Sequence, residues 1–411
     1  MIWRFFYSLA LIAALPLALL RLWWRGRREP GYRRRIDERF GRYRGRPERP
    51  VLWLHAVSVG EARASAGLVS GLAAGYPDHE MLVTCTTAAG RESLEALHGE
   101  SVRVVWLPYD YPGAVRRFLE HFRPRLGLIL ETEIWPNLLA ACGDYGVPVL
   151  LANARMSEKS ARGYARWRGL ARPAFASLSA VCAQSRVDAE RLRALGAFRV
   201  EIAGNLKFDF APDESKRIAG RAWRERLGRP ILLLASTREG EEAMLLGALP
   251  AWDGRTLVLV VPRHPRRFDE VAALAQSRRS SIAIPGPADR VFLGDTMGEM
   301  DFYYSAADVA LIGGSFAQLG GQNLIEACAA GTPVVLGPSM FNFAEATRLA
   351  LEAGAAIQAA DARSAVRAAL ALLADPAKRA AMGAAGAKLC QAHRGATQRH
   401  LEICRQTLGA A

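Results

Sequence analysis

The feature that most constrains the fold is a repeated alternation of short β-branched runs with amphipathic stretches, which begins after Pro50. The alternation breaks once, at the polar segment Gly204–Ser215, and then restarts. Short strands separated by helices are typical of βαβ units, which place the strands in a mainly parallel sheet. The sequence therefore predicts two successive α/β halves, each a Rossmann-like domain, that face each other across a cleft.

The predicted strands fall into two sets of seven. The first set is Val51–Val57, Met81–Thr84, Val102–Trp106, Leu126–Leu130, Val147–Leu151, Ala180–Ala183 and Arg199–Ile202. The second set is Ile231–Ala235, Thr256–Val261, Ser281–Ile284, Val291–Leu293, Val309–Ile312, Val334–Leu336 and Ala355–Gln358. We predict an N-terminal segment over residues 1–49, a first domain over 50–205, and a second domain with terminal helices over 206–411.

The positive charge of the chain is concentrated near its start. Basic residues outnumber acidic ones by 54 to 40, giving a net charge of +14. Residues 1–50 hold 13 arginines and 4 acidic residues, so +9 of that excess lies there. Because the remaining chain is close to neutral for its size, the sequence argues against a protein that wraps nucleic acid over its whole surface.

The N-terminus carries an apolar run, Phe5 to Leu20, flanked by Arg4 and Arg21. A helix of that length reaches roughly 24 Å, short of the ~30 Å hydrocarbon core. Leu22, Trp23 and Trp24 extend the run, and tryptophan suits the membrane interface. We interpret the run as an uncleaved membrane anchor. The arginines that follow it should keep the rest of the chain in the cytosol.

Two other interpretations of this run remain. A cleaved signal peptide is disfavoured because Arg-Leu-Trp-Trp-Arg follows the run where a small-residue cleavage site would stand. A buried core helix is the second alternative. In the anchor interpretation, the basic segment Arg25 to Arg49 lies against anionic lipid headgroups of the inner membrane.

The six cysteines include no CxxC pair, and several lie inside apolar runs. They are Cys85, Cys142, Cys182, Cys328, Cys390 and Cys404. We expect buried, reduced thiols in a cytosolic protein, without a disulfide framework or a zinc site. No HExxH motif and no clustered His, Cys and Asp set appears, so no metal or other cofactor is expected.

Three candidate residues of the first half lie where strands end. Glu61 follows the first strand after a small Ser-Val-Gly loop, where it can act as a general base or simply cap its helix. Glu131 and Glu133 follow the fourth strand, and we expect at most one of them to face the ligand side. Lys207 lies between the two halves, where it is either solvated or stabilises developing negative charge.

The second half offers cations and glycines at its strand ends. Arg263 and His264 stand in a proline-rigid loop that suits phosphate binding. A segment ending in Glu299 comes next, followed by a glycine-rich segment in which we predict a helix from near Gln322 or Asn323. The amides at that helix start would form an anion site. The glycines fit neither the dinucleotide nor the P-loop pattern, and they can also serve turns alone.

Nine segments together resemble one family. HAVSVGEA, TTAAG, LPYDYPGAVRRFL, ETEIWPNLL, NARMSEKS, GNLKFD, PRHPRRF, GDTMGEM and GGQNLIEA follow the order found in 3-deoxy-D-manno-octulosonic acid (Kdo) transferases. The resemblance runs from the N-terminal anchor to about residue 350. It implies a GT-B fold and an inverting, metal-independent mechanism. It also implies CMP-Kdo as donor and lipid IVA, the lipid A precursor, as acceptor.

The resemblance assigns roles residue by residue. Glu61 matches the catalytic base, and Glu131 and Lys207 match residues that support the transition state. The CMP-binding segments match Arg263, His264, Met297, Gly298, Glu299, Asn323, Leu324, Ile325 and Glu326. The chain has Gln322 and Leu324 where many relatives have histidine and proline.

Two alternatives to this function belong to different classes. One is another membrane-associated GT-B glycosyltransferase that uses a UDP-sugar. The other is a non-enzymatic, membrane-tethered basic adaptor that binds anionic lipid or RNA. The resemblance favours a transferase at the cytoplasmic face of the inner membrane, with membrane lipids and no nucleic acid as partners.

Overall fold

The structure, a computed structural model, describes residues 2–210 and 212–409. It contains two compact units, Met1–Asp209 with Arg394–Ala411, and Phe210–His393. Met1, Ala211, Ala410 and Ala411, which the predicted segments 1–49 and 206–411 include, lie outside the described residues.

The first unit is built on a seven-stranded sheet in which every strand pair is parallel. The strands are β1 (Val51–His55), β2 (Glu80–Cys85), β3 (Arg103–Trp106), β4 (Pro124–Leu130), β5 (Val149–Ala154), β6 (Ala180–Ala183) and β7 (Val200–Ile202). Their spatial order is β3-β2-β1-β4-β5-β6-β7. All residues of β1 are buried because helices cover both faces of the sheet, as a continuous apolar run predicts.

Helices on both faces complete the first unit. They are α1 (Ile2–Arg28), α2 (Val59–Ala64), α3 (Ala66–Gly75), α4 (Ala88–His98), α5 (Pro112–Phe122), α6 (Pro136–Asp144), α7 (Glu158–Arg166), α8 (Arg168–Ala176) and α9 (Arg186–Ala194). Two apolar clusters lie on opposite sides of the sheet, because alternate strand residues point to opposite faces. Leu52 and Leu54 belong to one cluster, and Trp53 belongs to the other.

The second unit repeats this plan with another seven-stranded sheet of parallel pairs. Its helices and strands are α10 (Glu214–Leu227), β8 (Ile231–Thr237), α11 (Glu241–Gly247), β9 (Leu257–Pro262), α12 (Phe268–Ala272), β10 (Ser277–Arg278), β11 (Val291–Leu293), α13 (Met300–Ala306), β12 (Val309–Ile312), α14 (Ile325–Ala330), β13 (Val334–Leu336), α15 (Ala344–Glu352), β14 (Ala356–Gln358), α16 (Ala362–Ala374) and α17 (Pro376–His393). The order is β10-β11-β9-β8-β12-β13-β14.

One predicted strand of this unit is wrong. Ser281–Ile284 is not a strand, and Ile282 is 39% exposed. The strand at that edge is the two-residue β10, which pairs with β11. A four-residue run with two isoleucines, a serine and an alanine before a proline does not bury enough apolar surface to hold a sheet edge.

The last helix, α18 (Ala396–Gly409), belongs to the first unit, whereas the sequence placed all terminal helices in the second domain. Ala396, Ile403 and Cys404 are buried in the same cluster as Leu52 and Leu54. The helix therefore returns to the first unit because its apolar side completes that unit's core.

The basic segment after the apolar run is also not separate from the first unit. Glu38 and Arg39 are 3% and 4% exposed. Glu38 accepts from the Arg91 guanidinium at 3.0 Å and from the amide of Trp106 at 2.9 Å. Part of the segment predicted to lie against lipid headgroups, Arg25 to Arg49, is therefore packed against β3.

The apolar run forms most of α1, and few of its residues are buried. A buried core helix is therefore excluded for this run. Within the described residues, α1 is the one helix long and apolar enough to cross a membrane. All six cysteines are buried as predicted, and none of these described residues forms a disulfide.

Candidate active site

The strand order of the first sheet reverses between β1 and β4. From β1 the chain adds strands toward one edge of the sheet, and from β4 it adds strands toward the other edge. These neighbouring strands lead to connections on opposite sides, which opens a crevice beyond their carboxyl ends, the usual ligand position in such sheets. Glu61 follows β1 and Glu131 follows β4. Two of the sequence-predicted residues therefore lie beyond the two strands that border this crevice.

Glu61 is held by the loop that precedes it. Its Oε2 accepts from the amide of Val57 at 2.8 Å, and its Oε1 accepts from the hydroxyl of Ser58 at 2.9 Å. Ser58 in turn caps α2 by accepting from the Glu61 amide. Thr87 fixes the same loop, since its hydroxyl donates to the Val57 carbonyl at 2.6 Å. The Glu61 side chain thus has one defined orientation.

The surroundings of Glu61 raise its pKa to about 7. Burial is the main cause, and the charges of Glu131 and Glu133 add to it, while hydrogen bonds from Val57 and Ser58 oppose it. The expectation that at most one of Glu131 and Glu133 faces the ligand side assumed that the strand continues, but β4 ends at Leu130, and residues two apart in a strand share one face in any case. A carboxylate with a pKa near 7 suits general-base catalysis at neutral pH.

Glu131 joins two cations. Its carboxylate binds Arg155 Nε at 2.9 Å and Lys207 Nζ at 3.3 Å. Its backbone is left-handed, with φ of 58°, a conformation that costs a non-glycine residue roughly 1–2 kcal/mol. Strain of this kind is concentrated at functional sites. Sequence reasoning missed Arg155, although it stands in the NARMSEKS segment.

Lys207 lies on a short 3-10 turn, Leu206–Asp209, that α18 holds in place. Asp209 accepts from the amides of Gly395, at 2.7 Å, and Thr397 at the start of α18. The neighbouring amide of Leu206 donates to Asn153 Oδ1 at 3.0 Å. A lysine predicted to lie between the two halves is thus part of the first unit and is fixed to it.

A buried histidine connects α18 to the same place. His400 Nε2 accepts from the amide of Asn153 at 2.9 Å, so its other nitrogen, Nδ1, donates to the Ala396 carbonyl. Burial lowers the pKa of His400 from 6.5 to about 4. Sequence reasoning could not find this residue, because its partner is 247 positions away.

We expect acid to destabilise the first unit through His400. The folded pKa, about 4, is below the unfolded value of 6.5, so His400 contributes stability above pH 6.5 that is lost as pH falls toward 4. Between pH 7 and pH 5 the loss should be about 2 kcal/mol. Urea unfolding of the parent and of His400→Gln at both pH values measures it. An unchanged slope in the variant would contradict the assignment.

The second sheet has its own reversal, between β8 and β12. The loop after β12 is organised by Glu241, which is fully buried. Its carboxylate accepts from the amides of Gly314 at 2.6 Å, Phe316 at 2.9 Å and Ala317 at 3.0 Å. Gly313 lets this loop pass the end of β8, because a Cβ there would lie 2.5 Å from the Ser236 carbonyl oxygen.

Glu242 organises the loop after β9. It forms a bidentate pair with the guanidinium of Arg267 at 2.6 and 3.0 Å, with both residues buried. It also accepts from the hydroxyl of Thr237 at 2.5 Å. Sequence reasoning missed both glutamates. Adjacent acids at the start of a helix after a strand, here Gly-Glu-Glu, were the available signal.

Arg263 and His264 lie in the loop that Glu242 and Arg267 anchor. The Arg263 amide donates to the Thr237 carbonyl, and Arg263 Nε donates to Gln322 Oε1 at 3.2 Å. Gln322 therefore joins the two strand-end loops. Burial, followed by the charges of neighbouring arginines, lowers the pKa of His264 below its usual value.

The Met297–Glu299 segment forms a turn before α13. Met297 is 58% exposed, and Gly298 has a φ of 76°, the left-handed conformation that favours glycine. Glu299 pairs with Arg279 at 3.4 Å and accepts from Tyr303 at 3.2 Å. Burial opposes a lower pKa for Glu299, but its hydrogen bonds and the Arg279 charge lower it overall.

The predicted helix in the last segment starts later than expected. α14 begins at Ile325, and the amide of Ile325 donates to Asn323 Oδ1. That amide is therefore bound by the Asn323 side chain, and the anion site at this helix start stays a prediction. Leu324 and Ile325 are 1% and 2% exposed, so their side chains belong to the core. Asn323 Nδ2 donates to Glu326 Oε1 at 2.9 Å.

Across residues 2–210 and 212–409, no group of three or more His, Cys, Asp or Glu side chains is placed to hold a metal ion. The predicted residues of the first unit gather near its strand reversal, and in the second unit Arg263, His264 and the segment Asn323–Glu326 lie on the connections after β9 and β12. The Met297–Glu299 turn follows β11, which β9 separates from the reversal between β8 and β12. The first unit presents acids and a lysine, and the second presents arginines, a histidine and acids.

Known proteins with related sequences identify the family of this chain. The family model "3-Deoxy-D-manno-octulosonic-acid transferase (kdotransferase)" matches residues 34–210, and "Glycosyl transferases group 1" matches residues 285–389. A 3-deoxy-D-manno-octulosonic acid transferase of Bordetella pertussis is 50% identical, over 98% of this chain and 99% of its own. One from Haemophilus influenzae is 35% identical, over 99% of both chains. The chain belongs to the Kdo transferase family.

As a Kdo transferase, the protein is a glycosyltransferase that transfers Kdo in lipopolysaccharide synthesis. A solved structure of MnaA from S. aureus with UDP aligns with a TM-score of 0.60 at 14% identity, over 88% of this chain and 98% of that chain. This likeness concerns the fold alone. The prediction of a GT-B fold built from two Rossmann-like domains is confirmed.

Proposed function

We propose that this Kdo transferase moves Kdo from CMP-Kdo to lipid IVA with inversion and without a metal ion. The observation that carries the proposal is Glu61, a carboxylate with a pKa of about 7 at the strand reversal of the first sheet. Glu131 and Lys207 pair in the same unit, and both match the residues implied by the family resemblance. The acceptor and donor follow from that resemblance.

In the proposed reaction, the Glu61 carboxylate takes the proton of an acceptor hydroxyl as that oxygen attacks the anomeric carbon of Kdo. The bond between this carbon and the phosphate oxygen of CMP breaks, and CMP leaves with the electron pair. Attack on the face opposite the leaving group inverts the configuration. Fixed cations stabilise the negative charge that develops, because they need no reorganisation during the reaction.

The donor residues fit a nucleoside monophosphate leaving group. Arg263 supplies positive charge on a loop fixed by the buried Glu242–Arg267 pair. Glu326 has carboxylate oxygens that can accept from ribose hydroxyls, and Asn323 orients it. These protein cations supply the charge that a metal would otherwise bring, so we propose that turnover persists in EDTA.

We propose a location at the cytoplasmic face of the inner membrane, with α1 as the anchor. The apolar α1 and the arginines that follow it support this location, since cytoplasmic segments near membrane helices are rich in arginine and lysine. Lipid IVA is itself a membrane lipid, so an anchored enzyme meets its acceptor at the surface.

A nucleotide titration separates this proposal from its alternatives. Purified full-length protein in detergent is titrated with CMP, UDP and an RNA oligomer, with and without EDTA. The proposal expects saturable CMP binding that EDTA does not change and that is tighter than binding of UDP or RNA. Preferential binding of UDP would support a UDP-sugar enzyme, and preferential binding of RNA would support the adaptor.

Glu326→Ala should weaken CMP binding by ~1–3 kcal/mol, the usual range for the loss of a hydrogen bond to a charged group. Isothermal titration with CMP measures the change. Glu352→Ala is the matched control, because Glu352 is an exposed acid of the same unit that pairs with Arg348. Equal affinities for the two variants would remove Glu326 from the donor site.

A further inference from the structure

One side of α1 is docked on the first unit along much of its length. The hydroxyl of Tyr7 donates to Asp110 Oδ2 at 3.0 Å, and Asp110 is buried. The hydroxyl of Tyr111 donates to the carbonyl oxygen of Leu11 at 2.9 Å, and Leu22 is buried. Positions 7, 11 and 22 lie on one stripe of a helix, so a single face of α1 makes these contacts.

The opposite side of α1 is apolar and exposed. The residues there that are more than half exposed include Phe5, Phe6, Leu9, Ile12, Leu17 and Leu20. An apolar face of this extent does not stay in water. A helix with one face on polar protein groups and the other apolar is typical of an element that lies along a membrane surface, whereas a lone spanning helix is surrounded by lipid.

The first turn of α1 lies beside the connection between α7 and α8. The ring of Trp3 packs against Gly169, and a Cβ on Gly169 would overlap that ring. Arg166 and Arg168 flank the same place and are exposed. If α1 crossed the bilayer, its first turn would bring these two arginines to the far side. Moving charged groups through the hydrocarbon is costly, so the contact argues against crossing.

The α7–α8 corner, defined here as Arg166, Trp167 and Arg168, itself suits a lipid surface. Trp167 is 65% exposed. Trp3 and Trp167 line a cavity of about 380 Å³ together with the two arginines of the corner and Gly169. Residues 158–176 hold five basic residues and one acidic residue. Tryptophan favours the membrane interface, and arginine binds phosphate groups well.

We propose that α1 lies in the plane of the membrane without crossing it, and that its exposed side and the α7–α8 corner form one face that docks on an anionic bilayer. The occupant is the lipid headgroup layer, because the face combines apolar side chains and tryptophans with excess positive charge. This inference rests on the membrane location in the proposed function, but it does not depend on which sugar is transferred.

The position of the N-terminus tests whether α1 crosses the membrane. All six native cysteines are buried, so an introduced Ile2→Cys is the thiol exposed to a membrane-impermeant maleimide. The full-length variant is labelled in spheroplasts, from the periplasmic side, and in inverted membrane vesicles, from the cytoplasmic side. The inference expects labelling in inverted vesicles alone. Labelling in intact spheroplasts would overturn it.

A fluorophore at the corner tests the second part of the face. Full-length Trp167→Cys carries an environment-sensitive dye, and Phe198→Cys is the matched control, since Phe198 is a 71% exposed aromatic residue that belongs neither to α1 nor to the corner. In vesicles of phosphatidylcholine and phosphatidylglycerol, we expect a blue shift and quenching by lipid-borne nitroxide at position 167. Position 198 should show neither, and vesicles without phosphatidylglycerol should give a smaller shift at 167.

Each other outcome overturns the inference. The absence of quenching at position 167 would mean that the corner does not contact lipid, and equal quenching at both positions would mean that lipid contact is not specific to the corner. A shift at position 167 that rises with protein concentration and not with lipid would identify a second copy of the chain as the occupant. Kdo transfer by the same variants in detergent is measured in parallel, so a failure of the proposed function appears there and not in the labelling.

Discussion

Glu61→Gln should lower the turnover of Kdo transfer by about 10²–10⁴-fold, the usual contribution of a general base. Glutamine keeps the size of the side chain, and its one carbonyl oxygen can accept the hydrogen bond from Val57, while its amide nitrogen can donate to the Ser58 oxygen. CMP affinity should change little, because the proposed donor residues belong to the second unit. Steady-state transfer assays and CMP titration of the same preparation measure the two effects.

The pH dependence of the parent gives an independent measure. A base must be deprotonated to act, and the pKa of Glu61 is raised to about 7, so kcat/KM should fall about tenfold per pH unit below that value. Glu61→Gln should lose this acid limb. If Glu61 only capped α2, the variant would lose about a kilocalorie of stability or less and keep its turnover within about tenfold.

Lys207→Met should lower turnover by about 10²–10³-fold, the range for removing one group that stabilises charge in a transition state. Methionine keeps the length of the side chain and removes the charge that pairs with Glu131 at 3.3 Å. Substrate KM should change less than kcat, because the interaction strengthens as charge develops. Transfer assays over a range of donor concentration separate the two constants.

Lys388→Met is the control for this variant, since Lys388 is an exposed lysine on α17. Urea unfolding of both variants shows whether the loss of the Lys207–Glu131 pair acts through stability. A merely structural Lys207 would lower the free energy of unfolding without lowering kcat of the folded enzyme. That result would contradict its assigned role.

The positions of Glu61 and Glu131 could be predicted because each follows a continuous apolar strand. Parallel sheets place such strand ends at one edge, and the strand order then brings β1 and β4 together. Of the fourteen predicted strands, Ser281–Ile284 failed because it has too little apolar surface to bury. The sequence of a single segment was sufficient to predict a strand or helix where the spacing of its apolar residues matches the face that the element buries.

The hydrogen bonds that hold the site residues in place could not be predicted, because they join segments that are distant in the sequence. His400 reaches Asn153 across 247 positions, and Glu241 reaches the loop after β12 across 73 to 76 positions. The sequence of α18 itself does not assign this helix to the first unit either, since its apolar side could pack on the core of either unit. The role of Gln322 follows only from its contact with Arg263.

The proposed reaction of this chain is the transfer of Kdo from CMP-Kdo to lipid IVA. Mass spectrometry of lipid IVA incubated with the purified full-length enzyme and CMP-Kdo, in EDTA, tests it most directly. We expect lipid IVA carrying one or more added Kdo residues from the parent enzyme, and about 10²–10⁴-fold less of this product from Glu61→Gln over the same time. Unmodified lipid IVA with the parent enzyme, or an added sugar only when a UDP-sugar is supplied, would contradict it.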